Sequence, residues 1–315
     1  MKFAVLSLNP GIDRALYLSE PLNQGHMNRA ARTVTSQGSK GANVSIVLKR
    51  LGFDVTYYSF TGGLYGDLCE RILEKENVKS VYVPAECGIR VNTKVTDGAG
   101  VCTELNEKGG PVTPEEYARL TQAFLQDDAE VVFMCGSFPQ GVEKSAYREL
   151  TALEKSAGKR VVLDCDGEAL LRGIESSPDI IKPNTDELFG LMTNAGLCKT
   201  IPQGAGKSVD FVSDCCAKVA RRYGIATVLC TMGPHGAVGV NGEEAHFCAA
   251  APVERHGFSG AGDSFLAGFA AARYALGYDD PQALKYASAV AGAKILLEGT
   301  GLPTAEGVAE VLALM

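Results

Sequence analysis

Short apolar runs alternate with longer segments of helical periodicity along most of this 315-residue chain. The apolar runs predict strands at residues 3–8, 54–60, 131–135, 161–164, 180–182 and 227–232. Several are apolar throughout, which is typical of strands buried on both faces of a parallel sheet. The segments between them predict helices at residues 41–51, 66–76, 114–125, 145–157, 212–223, 263–276, 281–297 and 305–314. This alternation predicts an α/β fold with a doubly wound, mostly parallel sheet and right-handed crossovers.

Two regions depart from the alternation and show the period of two that is typical of half-buried strands. They are residues 15–18 with 28–35, and residues 89–96 with 101–105, where Asp97-Gly98-Ala99-Gly100 supplies a hairpin turn. They predict a small antiparallel sheet, formed by about residues 11–36 and 87–108, within a single domain of residues 1–315. Doubly wound folds bind ligands at the carboxyl ends of their strands, so a sheet projecting there would form a lid.

The composition excludes some classes of partner. Hydrophobic residues make up 46% of the chain, charged residues 21%, and the formal net charge is −7. This balance is typical of globular proteins and gives no general attraction to nucleic acid or to an anionic membrane, so neither is expected as a partner. An enzyme of this composition that acts on anionic substrates needs positive charge concentrated at its site.

Cysteine usage and the N-terminal segment indicate the compartment. The ten cysteines are scattered without a Cys-x-x-Cys pair, and the four histidines are not at metal-ligand spacing, so we expect no zinc site. The first apolar run is too short for a secretory signal, and no apolar stretch is long enough to span a bilayer. These features predict a cytoplasmic protein with reduced thiols.

The most specific chemical signal lies near the end of the chain, where Gly260, Ala261 and Gly262 precede Asp263 and an Ala-rich helical segment. Glycines at a helix start let the backbone approach a ligand and leave the first amides free to point at an anion. Asp263 in that first turn could accept a proton from a hydroxyl held against those amides. An anion cradle beside a base is the minimum equipment for phosphoryl transfer to an alcohol. The alternative is an Asp that caps a helix after a turn.

A second glycine-containing segment, residues 37–43, also leads into a predicted helix. Its amides and Lys40 would face a hydroxyl-rich or anionic ligand. The spacing of a phosphate-binding P-loop is absent, and an ordinary strand-to-helix turn would explain the same residues.

Three later segments suit a nucleotide, and each has a structural alternative. Asn184 and Glu187 would contact, through water, the hydrated Mg²⁺ that accompanies ATP, or would form a helix capping box. The Gly-Pro-rich turn at residues 231–237 lies where a nucleotide phosphate or ribose would lie, or is a plain turn. The small side chains of residues 288–292 would admit a flat adenine, or allow close helix packing.

In this order and separation, the motifs resemble those of one family, the PfkB (ribokinase-like) carbohydrate kinases, over essentially the whole chain. The segments that carry the resemblance are residues 9–13, 38–43, 90–94, 136–139, 182–187, 233–236 and 260–263. Residues 9–13, 90–95 and 103–107 are similar to the subgroup that phosphorylates hexose monophosphates, which contains 1-phosphofructokinase and tagatose-6-phosphate kinase.

The resemblance implies a Mg²⁺- and ATP-dependent kinase acting on a ketohexose phosphate, with fructose 1-phosphate preferred and tagatose 6-phosphate as the alternative. It implies that Asp263 is the base, and that the amides of Gly260, Ala261 and Gly262 hold the charge on the transferred phosphoryl group. The residues implied for the sugar are Asp13, Gly38, Lys40 and Asn43, and those for its existing phosphate are Arg90, Arg29, Asn92 and Ser137. Those implied for the nucleotide are Lys182, Asn184, Glu187, Thr231, Gly233, Gly236, Ser288 and Gly292, with Asn184 and Glu187 reaching Mg²⁺ through water.

One residue departs from the family pattern. Ser39 stands where the sugar-binding turn usually has a second glycine. If that position requires a positive φ, serine is strained there, and the sugar can differ from that of the family.

Several alternatives remain open from sequence. A kinase of the same fold could act on a free sugar or nucleoside such as ribose or adenosine, although the strand with Arg90, Asn92 and Lys94 argues against it. A catalytically inactive regulator that binds a sugar or nucleotide is also possible. A nicotinamide-dependent dehydrogenase is disfavoured, since no Gly-x-Gly-x-x-Gly follows the first strand. The edges and apolar face of the lid also suit a homodimer formed through the lid.

Overall fold

The computed structural model describes residues 1–257 and 259–315, and within them thirteen strands form two sheets. The strands are β1 (Lys2–Ser7), β2 (Gly11–Leu18), β3 (Ala30–Gln37), β4 (Asp54–Thr61), β5 (Lys79–Pro84), β6 (Arg90–Thr96), β7 (Cys102–Asn106), β8 (Val131–Cys135), β9 (Arg160–Asp164), β10 (Ile180–Ile181), β11 (Thr227–Thr231), β12 (Ala237–Asn241) and β13 (Glu244–Cys248). The helices are α1 (Lys40–Arg50), α2 (Gly63–Lys75), α3 (Pro114–Leu125), α4 (Ala146–Ser156), α5 (Gly167–Gly173), α6 (Thr185–Asn194), α7 (Val209–Tyr223), α8 (Ala261–Ala270), α9 (Asp280–Ile295) and α10 (Ala305–Leu314).

The larger sheet has the order β13-β12-β11-β10-β9-β8-β1-β4-β5. Its strands pair in parallel except at one edge, where β12 runs antiparallel to both β11 and β13. The six strands predicted for this sheet are confirmed, and with them the α/β fold class. Strands β5, β12 and β13 were not predicted, because they lie at or beside the sheet edges and lack a long apolar run.

Helices cover both faces of the larger sheet. Along β1, Phe3 and Val5 point into a core with α1, α8, α9 and α10, whereas Ala4 and Leu6 point into a core with α3 to α7. This alternation of side chains across a strand explains why β1 is apolar throughout. The predicted helices are present, with α5 and α6 in addition, and the last turn of the α8 segment (Ala271–Ala275) is a π-helix.

The smaller sheet has the order β3-β2-β6-β7. Two antiparallel hairpins, β2 with β3 and β6 with β7, form it as the sequence predicts. They are joined by a parallel pair, β2 with β6, which the sequence pattern did not indicate. Strand β2 begins just after the carboxyl end of β1, and β3 leads directly into α1, so this sheet stands beside the carboxyl edge of the larger one.

No helix among residues 1–257 and 259–315 is long and apolar enough to cross a membrane. All ten cysteines lie in those ranges, and each is a free thiol.

Candidate active site

A cavity of about 380 Å³ lies between the two sheets. The carboxyl ends of β1, β8 and β9, the small sheet, and the N-termini of α1 and α8 surround it. Its walls include Asn9, Asp13, Gly38, Ser39, Lys40, Asn43, Arg90, Asn92, Lys94, Ser137, Ser259, Gly260 and Asp263. The fold therefore brings together, around one cavity, residues from segments far apart in sequence.

Asp263 lies in the first turn of α8 and is buried. Asn43 Nδ2, on α1, donates a 2.8 Å hydrogen bond to its Oδ2. Burial, assisted by the nearby charge of Asp164, raises the pKa of Asp263 above its ordinary value. The carboxylate is therefore a stronger base than an exposed aspartate.

The turn before Asp263 leaves the first amides of α8 available. Gly260 has φ of 88°, a left-handed conformation that favours glycine, and no hydrogen bond from a described side chain caps the helix. A β-carbon on Gly262 would lie 3.2 Å from Lys182 Nζ, so glycine keeps this lysine close to the turn. Free amides and a lysine together form a place for an anion.

Asp164 ends β9 with a fully buried side chain and lies between two lysines. Its Oδ1 is 3.2 Å from Lys40 Nζ and 3.5 Å from Lys182 Nζ. Burial raises the pKa of Asp164, but the two ammonium groups outweigh this effect and hold the pKa below its ordinary value. Asp164 thus holds both ammonium groups at the mouth of the turn that carries Asp263.

The small sheet supplies a second polar cluster opposite Asp263. Asn92 Nδ2 donates to Asp13 Oδ1 at 3.0 Å, and Lys94 Nζ lies 2.6 Å from Asp13 Oδ2. Gly38 has to be a glycine, because a β-carbon there would overlap the Asp13 carboxylate. The cluster offers both donors and acceptors to hydroxyl groups.

Arg90 lies at the start of β6, where Gly11 of β2 is its neighbour. Its guanidinium donates to the carbonyl oxygens of Asn9 and Glu107, at 3.4 and 3.0 Å, and no carboxylate in the described part of the chain forms an ion pair with it. Asn9 in turn donates to Ser137 Oγ at 3.0 Å. The positive charge of Arg90 is available to an anion in the cavity.

Ser39 is not strained, so the conditional expectation of a steric penalty is wrong. Its φ of −110° is ordinary extended backbone, and its side chain caps α1 by accepting from the amide of Ala42. The same Oγ accepts from Gln37 Nε2 and lies 3.2 Å from the Tyr57 hydroxyl. Serine therefore fits this turn as a helix cap, and it gives no reason to expect an unusual sugar.

Arg29 does not reach the cavity within one chain. It is exposed and precedes β3, whose other end leads to Gly38. Arg29 and Gly38 are nine residue steps apart along this extended segment, which places them roughly 30 Å from each other, since a strand rises about 3.3 Å per residue. The expectation that Arg29 joins Arg90 is not met within this chain.

The nucleotide candidates lie at the neighbouring strand ends. Asn184 and Glu187 form the capping box of α6, with hydrogen bonds of 2.8 and 2.9 Å. Thr231 ends β11 and pairs with Asn184, which aligns the two segments. Gly233 and Gly236 have φ of 58° and 99° in the turn that follows β11.

Two further nucleotide candidates, Ser288 and Gly292, lie on α9 and do not line the cavity. Ser288 is buried, and a β-carbon on Gly292 would overlap or crowd Ala251 and Val311. Close packing explains why position 292 is a glycine.

Sequence reasoning did not select Asp164 or Lys94 as site residues. Asp164 follows an apolar strand at its carboxyl end, which is a usable signal for a ligand site in a doubly wound sheet. Lys94 is two residues beyond Asn92 and four beyond Arg90, so the period of two places all three on one face of β6.

Comparison with known proteins identifies the family. The family model described as "pfkB family carbohydrate kinase" matches residues 7–306. The chain belongs to this family. It shares 29% identity over 269 residues with a 1-phosphofructokinase of Bacillus subtilis, covering 84% of each chain. It shares 28% identity over 302 residues with a 1-phosphofructokinase of Haloferax volcanii, covering 95% of this chain and 93% of the other.

Two solved structures have the same fold as this chain. Phosphofructokinase-2 from Escherichia coli superposes with a TM-score of 0.90 at 24% identity, over 99% of both chains. A ribokinase from Thermotoga maritima superposes with a TM-score of 0.77 at 18% identity, over 99% of both chains. The ribokinase-like architecture expected from the motifs is therefore confirmed.

We predict that Ser39→Ala lowers the free energy of unfolding by about 1 kcal/mol or more, because α1 loses its side-chain cap and the buried Gln37 and Tyr57 side chains lose a hydrogen-bond partner. The matched control is Ser145→Ala, since Ser145 stands at the N-terminus of α4 and its side chain makes no capping hydrogen bond. Urea denaturation of both variants measures the difference. Equal effects would contradict the capping role.

Proposed function

We propose that this protein transfers the γ-phosphoryl group of ATP to a ketohexose monophosphate, with fructose 1-phosphate as substrate and fructose 1,6-bisphosphate as product. One observation carries the proposal. Asp263, beside uncapped helix amides, faces across one cavity the polar cluster of Asp13, Asn92 and Lys94 and the guanidinium of Arg90. The curated relatives named 1-phosphofructokinase support the choice of sugar.

Asp263 is the proposed base. The hydroxyl that attacks would lie against the Asp263 carboxylate, held from the other side by Asp13 and Asn92. Asn43 donates a hydrogen bond to one oxygen of Asp263. This bond fixes the orientation of the carboxylate and leaves the other oxygen to accept the proton. The proton passes to Asp263 as the new oxygen–phosphorus bond forms and the bond between the γ-phosphorus and the bridging oxygen of ATP breaks, so that ADP leaves. Positioning dominates, since phosphoryl transfer needs little deprotonation early in its loose transition state.

The charge that accumulates on the transferred phosphoryl group is opposed from several directions. The amides at residues 260–263 and the ammonium groups of Lys40 and Lys182 are the proposed donors. Burial opposes the charge of Lys40, yet Asp164, Asp263 and other nearby carboxylates raise its pKa, so Lys40 keeps its proton. Fixed donors of this kind stabilise a transition state without rearrangement.

The site suits Mg²⁺ bound through ATP and water. Four carboxylates lie near enough to raise the pKa of Lys40, those of Asp164, Asp166, Glu187 and Asp263. Oxygen donors of this kind are those that Mg²⁺ prefers. In the part of the chain that the structure describes, no group of three His, Cys, Asp or Glu side chains could hold a metal directly. We therefore propose contact through water from Asn184 and Glu187, and the ion would neutralise phosphate charge.

The existing phosphate of the sugar is assigned to Arg90, with Asn92 and Ser137 beside it. A guanidinium can bind a phosphate through two parallel hydrogen bonds, which a neutral hydroxyl cannot match. Arg90 thus concentrates positive charge in an acidic protein, as an anionic substrate requires.

We also propose that the small sheet acts as a lid and that two copies associate through it. Val101 and Leu105, on or beside β7, are 59% and 62% exposed, which leaves apolar surface uncovered in one chain. Such a surface favours association.

Asp263→Asn should lower kcat by about three orders of magnitude, because asparagine cannot accept the proton. The Kd for ATP should change little, since Asp263 is assigned to the hydroxyl. Steady-state kinetics and calorimetric ATP titration measure the two quantities. A variant that keeps more than about a tenth of the activity rules out Asp263 as the base.

Arg90→Ala should raise KM for a phosphorylated sugar far more than for the same sugar without its phosphate, because only the first uses the guanidinium. Arg14→Ala is the control, since Arg14 is exposed on β2 in the same sheet. An equal effect of Arg90→Ala on both substrates would refute the phosphate-binding role.

A coupled ADP-release assay with fructose 1-phosphate, tagatose 6-phosphate and fructose 6-phosphate tests the proposed function. We expect the highest kcat/KM with fructose 1-phosphate. Preference for tagatose 6-phosphate would change the proposed substrate but leave the proposed reaction unchanged. ADP release with ribose or adenosine alone would overturn the substrate class, and its absence with every acceptor would favour a non-catalytic regulator.

A further inference from the structure

Lys294, in the last turn of α9, is a buried cation that the proposed reaction does not use. Its side chain has no exposed surface. No carboxylate within residues 1–257 and 259–315 forms an ion pair with it. Its Nζ donates to two backbone carbonyl oxygens, those of Gly299 at 2.9 Å and Leu297 at 3.4 Å. Burying a charge this way is expensive, so the position needs a reason.

The two carbonyl groups belong to residues 296–299, here called the 296–299 loop. This loop is packed directly against the segment that leads to Asp263. A β-carbon on Gly257 would overlap the carbonyl oxygen of Leu297 and lie 3.2 Å from that of Gly299. The amides of His256 and Gly257 both donate to the carbonyl of Ile295, at 3.0 and 3.1 Å.

Lys294 also lies under the glycine turn itself. A β-carbon on Gly260 would be 3.8 Å from Lys294 Cε. Ser259, next to Gly260, contacts Lys94, whose charge acts on Lys294. The Lys294 side chain therefore lies close to the Gly260 turn, and it is not among the residues that line the cavity.

The 296–299 loop reaches the small sheet as well. Glu298 forms a 3.1 Å ion pair with Arg32 on β3. A β-carbon on Gly299 would come within 2.7 Å of the Tyr17 hydroxyl on β2. The loop that Lys294 organises thus touches both the small sheet and the segment before α8.

We propose that Lys294 is a positioning residue for phosphoryl transfer. Its ammonium group holds the 296–299 loop in the shape against which the segment before α8 packs, and it adds fixed positive charge near the Gly260 turn. This inference rests on the proposed function. The Lys294 ammonium is then the cation that the carbonyl oxygens of Leu297 and Gly299 contact, so no monovalent cation from solution is needed there. Burial lowers the pKa of Lys294 to about 8, with the charge of Lys94 contributing, so the proton is mostly retained at neutral pH.

Two variants separate charge from packing. Lys294→Met keeps the length and removes the charge, and Lys294→Gln keeps a hydrogen-bond donor without charge. We expect both to lower kcat by about tenfold or more while KM for ATP and sugar changes little. Added K⁺ or NH₄⁺ should restore kcat, because either ion can bind the freed carbonyl oxygens. Lys285→Met, on the exposed face of the same helix, is the control and should match the wild type with and without these ions.

Amide hydrogen exchange provides a readout that does not depend on turnover. Exchange at residues 259–263 should be faster in Lys294→Met and Lys294→Gln than in the wild type, and unchanged in Lys285→Met. Unchanged exchange and kcat in both Lys294 variants would overturn the inference. So would a lost kcat that neither K⁺ nor NH₄⁺ recovers.

The wild-type protein supplies a test that needs no variant. Its turnover should be the same in tetramethylammonium and potassium buffers, and several-fold, saturable activation by K⁺ would overturn the inference. Failure of the proposed function would be recognised separately, because the wild type would then turn over no sugar phosphate at all. The difference in amide hydrogen exchange between the wild type and the Lys294 variants would still be observed.

Discussion

The buried carboxylate of Asp164 is the constraint on which the site depends. It ends a central strand and has no exposure, and it lies between the ammonium groups of Lys40 and Lys182. Lys182 depends on this carboxylate most, because its side chain is almost fully buried and burying an ammonium group without a partner is unfavourable. The side chain of Lys40 is partly exposed and is oriented by the same oxygen. One aspartate therefore holds two positive groups from different helix and strand ends beside the turn that carries Asp263.

The electrostatics of the cavity follow from that arrangement. Two helix N-termini, those of α1 and α8, lie on the same side of the cavity as the lysines and help to offset the negative charge of Asp164 and Asp263. The hydrogen bond between Asn43 and Asp263 joins the two termini. It also holds Asp263, the proposed base, whose pKa is raised by burial, in one place beside the two lysines.

Much of this fold could be predicted from the sequence, because the apolar strands and helical periodicity are strong, regular signals. The parallel pairing of β2 with β6 could not be predicted, because alternation of apolar and polar residues indicates a strand but not which distant strand it pairs with. The distance of Arg29 from the cavity within one chain could not be predicted either, because the sequence does not show that Arg29 lies at the far end of an eight-residue strand. Ser39 shows the opposite case. A residue unusual for its family is explained by an N-cap bond and by Tyr57, a partner 18 positions away.

The division of labour between the two sheets has an evolutionary consequence. Asp13, Asn92, Lys94 and Arg90 lie on the four-stranded sheet, which contacts helix α2 through strands β2 and β3. Asp263 and Asp164 stand on the layered core, where substitutions disturb tight packing. Substitutions at exposed positions of the small sheet, such as Arg14, can therefore accumulate with little loss of stability. Asp13 and Asn92 are buried and bonded to each other, and the proposed phosphoryl-transfer residues lie in the core, so these positions are more constrained.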